Sequence, residues 1–222
     1  KSFDICYILN IMKKEDLPNI LPVFPLSNFI IFPETTVPLN IFEPRYLQMV
    51  DDCMKNERCI GMIQPRKSGK LKKPDLFETG CTGKITSFNE TDDGRYLILI
   101  NGICRFKINK ELNTPKLYRE CDVSYKDYLE DLVEQKKTNI HSEGLLKKFR
   151  ELFDKLGYSI DWNDIEKQDN VKMINSLAMA SPFSREEKQV LLESISINDR
   201  HVNLNNIIDT YLKDSFSNTT VQ

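Results

Sequence analysis

Residues 22–46 read PVFPLSNFIIFPETTVPLNIFEPRY, and how this stretch folds decides the class of the molecule. It holds five prolines and eleven large apolar residues, with no glycine, histidine or cysteine. Proline fixes φ and removes a backbone donor, so apolar runs punctuated this way belong at strand starts, edges and bulges. Residues 21–26, 29–32 and 37–42 therefore read as short extended segments. Pro44 suits the first turn of a helix, where a missing N–H is harmless, and Tyr46, Leu47, Val50 and Met54 recur at helical spacing. Apart from two glutamates the stretch carries no proton-transfer groups, which points to contact rather than chemistry.

The β character continues downstream. CIGMIQP (59–65) reads as a strand, followed by a basic polar loop, RKSGKLKKPD (66–75). Residues 81–90 and 95–100 flank TDDG, an Asp-Gly hairpin signal. Asn101-Gly102 predicts a second turn before a strand over 103–109. YRECDVSY (118–125) alternates polar and apolar residues as an exposed edge strand does. Seven or so strands around one helix imply a strongly twisted sheet or half-open barrel.

After about residue 128 the apolar period becomes helical. Leu145, Leu146, Phe149, Leu152, Phe153 and Leu156 form one stripe that stops at Gly157. A second helix is expected from near Asp161 through Ile165, Ile174, Leu177 and Ala178 to Pro182. Ser184-Arg-Glu-Glu187 is a capping box opening a third helix, and Leu204, Ile207, Ile208, Tyr211 and Leu212 give a fourth. The class expected is α+β. It comprises an N-terminal extension (1–19), a β-rich unit (20–128), a helical bundle (129–215) and a frayed tail (216–222). Met12 is the expected native start, with residues 1–11 an upstream extension.

Composition excludes several classes. The chain has 222 residues, a formal charge of −2 and 29% charged residues, so no global field draws it to nucleic acid or membrane. No stretch approaches the ~18 apolar residues that cross a bilayer. Six cysteines lack any C-x-x-C spacing, and most sit in apolar runs, where Cys acts as a small hydrophobe. Reduced thiols in a cytoplasmic protein are expected. The two histidines, His141 and His201, are far apart and without nearby cysteines, so a zinc site is not expected. No G-x-S-x-G is present, and a Cys81 or Cys104 nucleophile would need one of those histidines beside it.

The segment LPVFPLSNFIIFPETTVPLNIFEPRY (21–46) closely resembles the opening of the amino-terminal substrate-binding domain of the Lon ATP-dependent proteases. GCTGKITSFNETDDGRYLILINGICRFKI (80–108) shares the G-C, D-G-R-Y and G-x-x-R-F features of that family, and SPFSREEKQVLLES (181–194) resembles its closing helical segment. The resemblance covers roughly residues 20–213. It departs where Lon carries an ATPase loop: Gly69-Lys70 and Gly83-Lys84 are followed by Leu71 and Ile85, with no glycine five positions earlier. What the resemblance implies is a stand-alone, non-catalytic module that binds unfolded protein segments or a partner protein, in quality control or as a protease adaptor. No cofactor, nucleotide or membrane is implied. Phe32 and Phe42 are the expected peptide contacts. Arg66, Lys67, Lys70, Lys72 and Lys73 form a loop that could meet an acidic partner. The alternatives are an enzyme of unknown reaction on this fold, or nucleic-acid binding through residues 66–73. The latter is disfavoured because no aromatic residue interleaves the charges.

Overall fold

The computed structural model describes residues 14–67, 73–133 and 143–217. Met12, residues 1–11, Cys6, Gly69, Lys70, Leu71, Lys72, His141 and the tail from 218 lie outside the described residues. Six strands are described: β1 (Ile20–Pro25), β2 (Thr36–Ile41), β3 (Cys59–Ile63), β4 (Thr79–Glu90), β5 (Tyr96–Glu111) and β6 (Arg119–Ser124). One helix, α1 (Pro44–Met54), interrupts them. Five more follow: α2 (Glu143–Lys155), α3 (Trp162–Glu166), α4 (Asn170–Ala180), α5 (Arg185–Glu193) and α6 (Ile197–Ser217). The molecule is α+β, with the twisted β unit first and the helices after it.

The ladders run β2-β5-β4-β3-β1-β6, and β6 also pairs with β5. Five strands thus close into a ring, with β2 lying outside it along the first half of β5. Closure corrects one expectation: residues 118–125 are no exposed edge, because β6 is bonded to β1 through Ile20↔Asp122 and to β5 through Ile108↔Val123. Alternation along β6 arises because one face lines the ring, where Cys121 and Val123 are buried.

A second correction concerns Asn101-Gly102. No turn forms there, and β5 runs unbroken past it. The glycine is needed for another reason. A Cβ on Gly102 would lie 2.0 Å from the Phe32 carbonyl oxygen, so the loop after β1 can rest on β5 only if that position has no side chain. The contact is bonded: Glu34 N–H donates to Gly102 O at 2.9 Å, and Gly102 N–H donates to Thr35 O at 2.8 Å. This is why residues 29–32 join no ladder. Phe32 N–H instead donates to Thr35 Oγ1, whose hydroxyl donates back to Phe32 O at 2.6 Å.

The expected Asp-Gly hairpin is present. Thr91 N–H donates to Arg95 O at 2.9 Å, and Gly94 takes φ +78° in open space. Ser184 and Glu187 form the expected capping box at the start of α5. The second expected helix is broken in two. Asp169 caps α4 by accepting from Lys172 N–H at 2.9 Å, so the chain restarts there.

A single apolar cluster joins Phe24, Ile31, Phe32 and Ile85 of the β unit to Phe149, Ile174, Leu191 and Ile208 of the helices. A second cluster, built on Phe106, Leu21, Ile63 and Val123, fills the ring. The seam between ring and helices is also polar. Arg105 Nη1 donates to Leu192 O and Ser194 O, and its Nη2 to Ile195 O, tying β5 to the end of α5. Lys188 Nζ donates to Asn28 O and Met179 O, each at 3.1 Å. Gln64 Nε2 reaches Gln189 Oε1 at 3.1 Å. The cationic donors satisfy carbonyls at the ends of α4 and α5 that burial would otherwise orphan.

Candidate functional site

The larger of two described clefts, about 360 Å³, opens between the end of β1, the first turn of α1, the feet of the basic loop and the β5–β6 connection. Four pieces of chain far apart in sequence build it. At α1, Pro44 occupies the first turn and sets Arg45 on the rim. The Arg45 guanidinium lies 4.5 Å above the Tyr46 ring and donates to Glu43 Oε2 at 2.9 Å. Tyr46 in turn packs on Phe24, ring centroids 4.2 Å apart. That ring is buried, and burial pushes the phenol pKa up.

The basic loop rises from a short antiparallel stem. Arg66 N–H donates to Asp75 O at 2.7 Å and Phe77 N–H donates to Gln64 O at 3.0 Å. Arg119 Nη1 fastens the far foot by donating to Pro74 O at 2.7 Å. The loop divides its cations. Lys67 and Lys73 line the cleft. Arg66 turns away, donating to Leu76 O and pairing with Glu78 at 3.4 Å. Lys70 and Lys72 lie outside the described residues.

On the opposite wall, Leu117 N–H donates to Gln48 Oε1 at 2.9 Å and Tyr118 Oη donates to Asp52 Oδ2 at 2.8 Å. These bonds hold the β5–β6 connection against α1. Burial pushes the Tyr118 phenol up to about 12, with its bond to Asp52 adding to the rise. Leu117 itself stays 63% exposed. Five cations line the space: Arg45, Lys67, Lys73, Lys116 and Arg119, against one carboxylate, Glu111. Glu111 accepts from Arg119 Nε at 3.0 Å and Nη2 at 2.7 Å, and pairs with Lys73 Nζ at 2.9 Å. Partial burial would lift its carboxyl, but the Arg119 and Lys73 bonds outweigh that and hold it below the usual range. Lys116 pairs with Glu120 at 2.7 Å, and Lys67 makes no ion pair among the described residues.

The two expected peptide contacts part company. Phe32 is fully buried, 4.1 Å beneath the Arg200 guanidinium, so it presents no surface to a ligand. Phe42 is 63% exposed, immediately before α1, but does not line the cleft. Arg45, Glu111, Lys116 and Arg119 were not singled out from the sequence. They stand alone in ordinary surroundings, and only the fold gathers them.

The second cleft, about 130 Å³, lies between α4, α6 and the Lys126–Leu132 turn. Arg200 sits in its floor, bonded to Leu191 O and Asn175 Oδ1. Burial, with Arg105 nearby, lowers its pKa to about 9. The two cysteines considered as nucleophiles lie in the interior of the β unit. Cys81 and Cys104 are buried and donate to the carbonyls of Thr82, Arg105 and Tyr128. His201 faces Asn205 on its own helix. Among the described residues no group of three metal-ligating side chains occurs, and no helix is long and apolar enough to cross a membrane.

Comparison with known proteins adds the family. The model of the ATP-dependent protease La (LON) substrate-binding domain matches residues 20–210. Among curated relatives, Lon protease of Dictyoglomus thermophilum is 22% identical over 194 residues, covering 84% of this chain and 24% of that protein. Lon protease 2 of Myxococcus xanthus is 24% identical over 229 residues, covering 94% of this chain and 27% of that protein. The chain thus spans about a quarter of their length. In fold it is similar to a Lon N-terminal domain protein from Xanthomonas campestris, with TM-score 0.58 and 22% identity over 86% of this chain and 97% of the other. It is also similar to the N-terminal domain of a Mycobacterium avium complex Lon protease, with TM-score 0.56 and 16% identity over the same shares.

Proposed function

The chain belongs to the ATP-dependent protease La (LON) substrate-binding domain family, and on that premise we propose that it is a protein-binding module holding extended polypeptide in the cleft beside α1. The observation that carries this reading is the make-up of that cleft. Pro25, Pro74, Leu112 and Leu117 offer apolar surface beside a cationic rim. Its volume falls in the range that accommodates a few side chains. An extended segment supplies both apolar groups and charges at alternate positions. Prolines on the walls lack N–H groups, so recognition runs through side chains more than through strand addition.

The reading assigns no reaction to this chain. A place in protein quality control, or as an adaptor presenting clients to a protease, belongs to the same proposal. So does a cytoplasmic setting. Titration calorimetry with a permanently unfolded model protein tests it. The expected result is micromolar binding that weakens about tenfold when Leu117→Asp and Thr114→Trp alter and fill the cleft, roughly 1.4 kcal/mol. Heat-silent titrations with several unfolded proteins would remove the reading.

A further inference from the structure

We infer that the cleft selects segments carrying Asp or Glu, and that Glu111 acts as a built-in competing carboxylate setting how strong that selection is. This deepens the proposed function and rests on it.

Charge complementarity is the first support. Among the described residues the five lining cations face Glu111 alone within the cleft, and only Glu43 and Glu120 pair with them from outside. Two positive charges are left over, and Lys67 has no ionic partner among the described residues. In a partly enclosed space such an excess is screened less than on open surface.

The Glu111 geometry is the second. Its carboxylate takes a two-point bond from Arg119 together with Lys73, which is how a guest carboxylate would be held. Arg119 is fixed in place by its bond to Pro74 O and by the β1–β6 ladder, where it pairs with Val23. A guest carboxylate can therefore bind at Lys67 and share or displace the hold on Lys73. Polynucleotide is the poorer fit. Tyr46 and Tyr118 are buried, so no aromatic face among the lining residues is open for base stacking.

The test uses two labelled extended peptides that differ only in Asp/Glu against Asn/Gln, and an oligothymidylate of similar length. Fluorescence anisotropy is read with the full chain, with Glu111→Gln and with Lys67→Gln, each checked for folding by circular dichroism. The expected result is at least threefold tighter binding of the acidic peptide, shrinking as salt rises. Glu111→Gln should widen that gap about fivefold, and Lys67→Gln should narrow it. Equal binding of both peptides, still weakened by Leu117→Asp, overturns this inference and leaves the cleft reading standing. Binding of neither removes both. Oligothymidylate that binds more tightly than the acidic peptide, or selectivity untouched by Glu111→Gln, also overturns it.

Discussion

Arg105 and Asp131 meet as a two-pronged ion pair, Nε to Oδ2 at 2.8 Å and Nη2 to Oδ1 at 2.8 Å, with the two side chains only 3% and 7% exposed. The Arg105 N–H adds a third bond to Oδ2 at 3.0 Å, and the guanidinium lies 4.3 Å from the Tyr128 ring. The same guanidinium binds the carbonyls that end α5, so one side chain joins the ring, the turn after β6 and the helices. Removing either partner leaves a sealed charge. Arg105→Ala or Asp131→Ala should each lower unfolding free energy by about 3–5 kcal/mol, and the double variant should lose much less than the sum. Urea denaturation of the four proteins in the cycle measures it. Simple additivity would show that the pair is not energetically coupled.

Gly102 and Gly94 separate two reasons for having no side chain. Gly102→Ala drives a Cβ into the Phe32 carbonyl, a backbone atom that cannot step aside. The expected loss is about 3 kcal/mol, or roughly 6–12 °C in Tm. Gly94→Ala meets nothing but keeps a left-handed backbone, so its loss should be near ~1 kcal/mol. Thermal melts of both variants check the ranking.

Phe32 and Phe42 should behave oppositely. Phe32→Ala empties part of the core and should cost about 3–5 kcal/mol. Phe42→Ala removes an exposed ring and should change stability by less than ~0.5 kcal/mol. A Phe42→Ala protein as unstable as Phe32→Ala would contradict the burial of the two rings.

The five described cysteines are free and buried. Burial pushes the thiols of Cys53 and Cys104 up to about 12, and those of Cys59 and Cys121 up to about 11. A pKa raised in the folded state means that folding favours the protonated thiol. That contribution is fully present below the unfolded thiol pKa, near ~8.5, and is lost as pH rises through the folded values of about 11 to 12. At pH 8 a thiol reagent should titrate no more than one of the six cysteines in the native chain and all six in denaturant. Stability should then fall between pH 9 and pH 12. Rapid native reaction of more than one thiol would contradict the burial.

The order of elements was readable because local signals agree with the final structure. Pro44 opens α1, Asp93-Gly94 turns the hairpin, and Ser184 with Glu187 starts α5. The signals that misled are those whose cause is tertiary. Asn101-Gly102 looks like a turn, yet the glycine serves a loop some seventy positions earlier in the chain. The polar and apolar alternation of β6 looks like an edge, yet ring closure pairs both flanks. Of the basic loop, Lys67 and Lys73 reach the cleft, while Arg66 is spent on its own stem. Arg45, Lys116 and Arg119 carry no local mark, because a site assembled from four distant segments leaves no motif in any one of them.

The bonding of β1 to β6 also sets a timetable. Ile20 and Asp122 are neighbours in space but lie a hundred residues apart along the chain, so closing that seam carries a large loop entropy and comes late in folding. During synthesis the strands from β1 to β5 can form and pair while the gap beside β1 stays unfilled. Only after Ser124 has left the ribosome can the last strand slot in. Until then the nascent chain shows a bare strand margin to its surroundings, and this is the interval in which it is most exposed to faulty association.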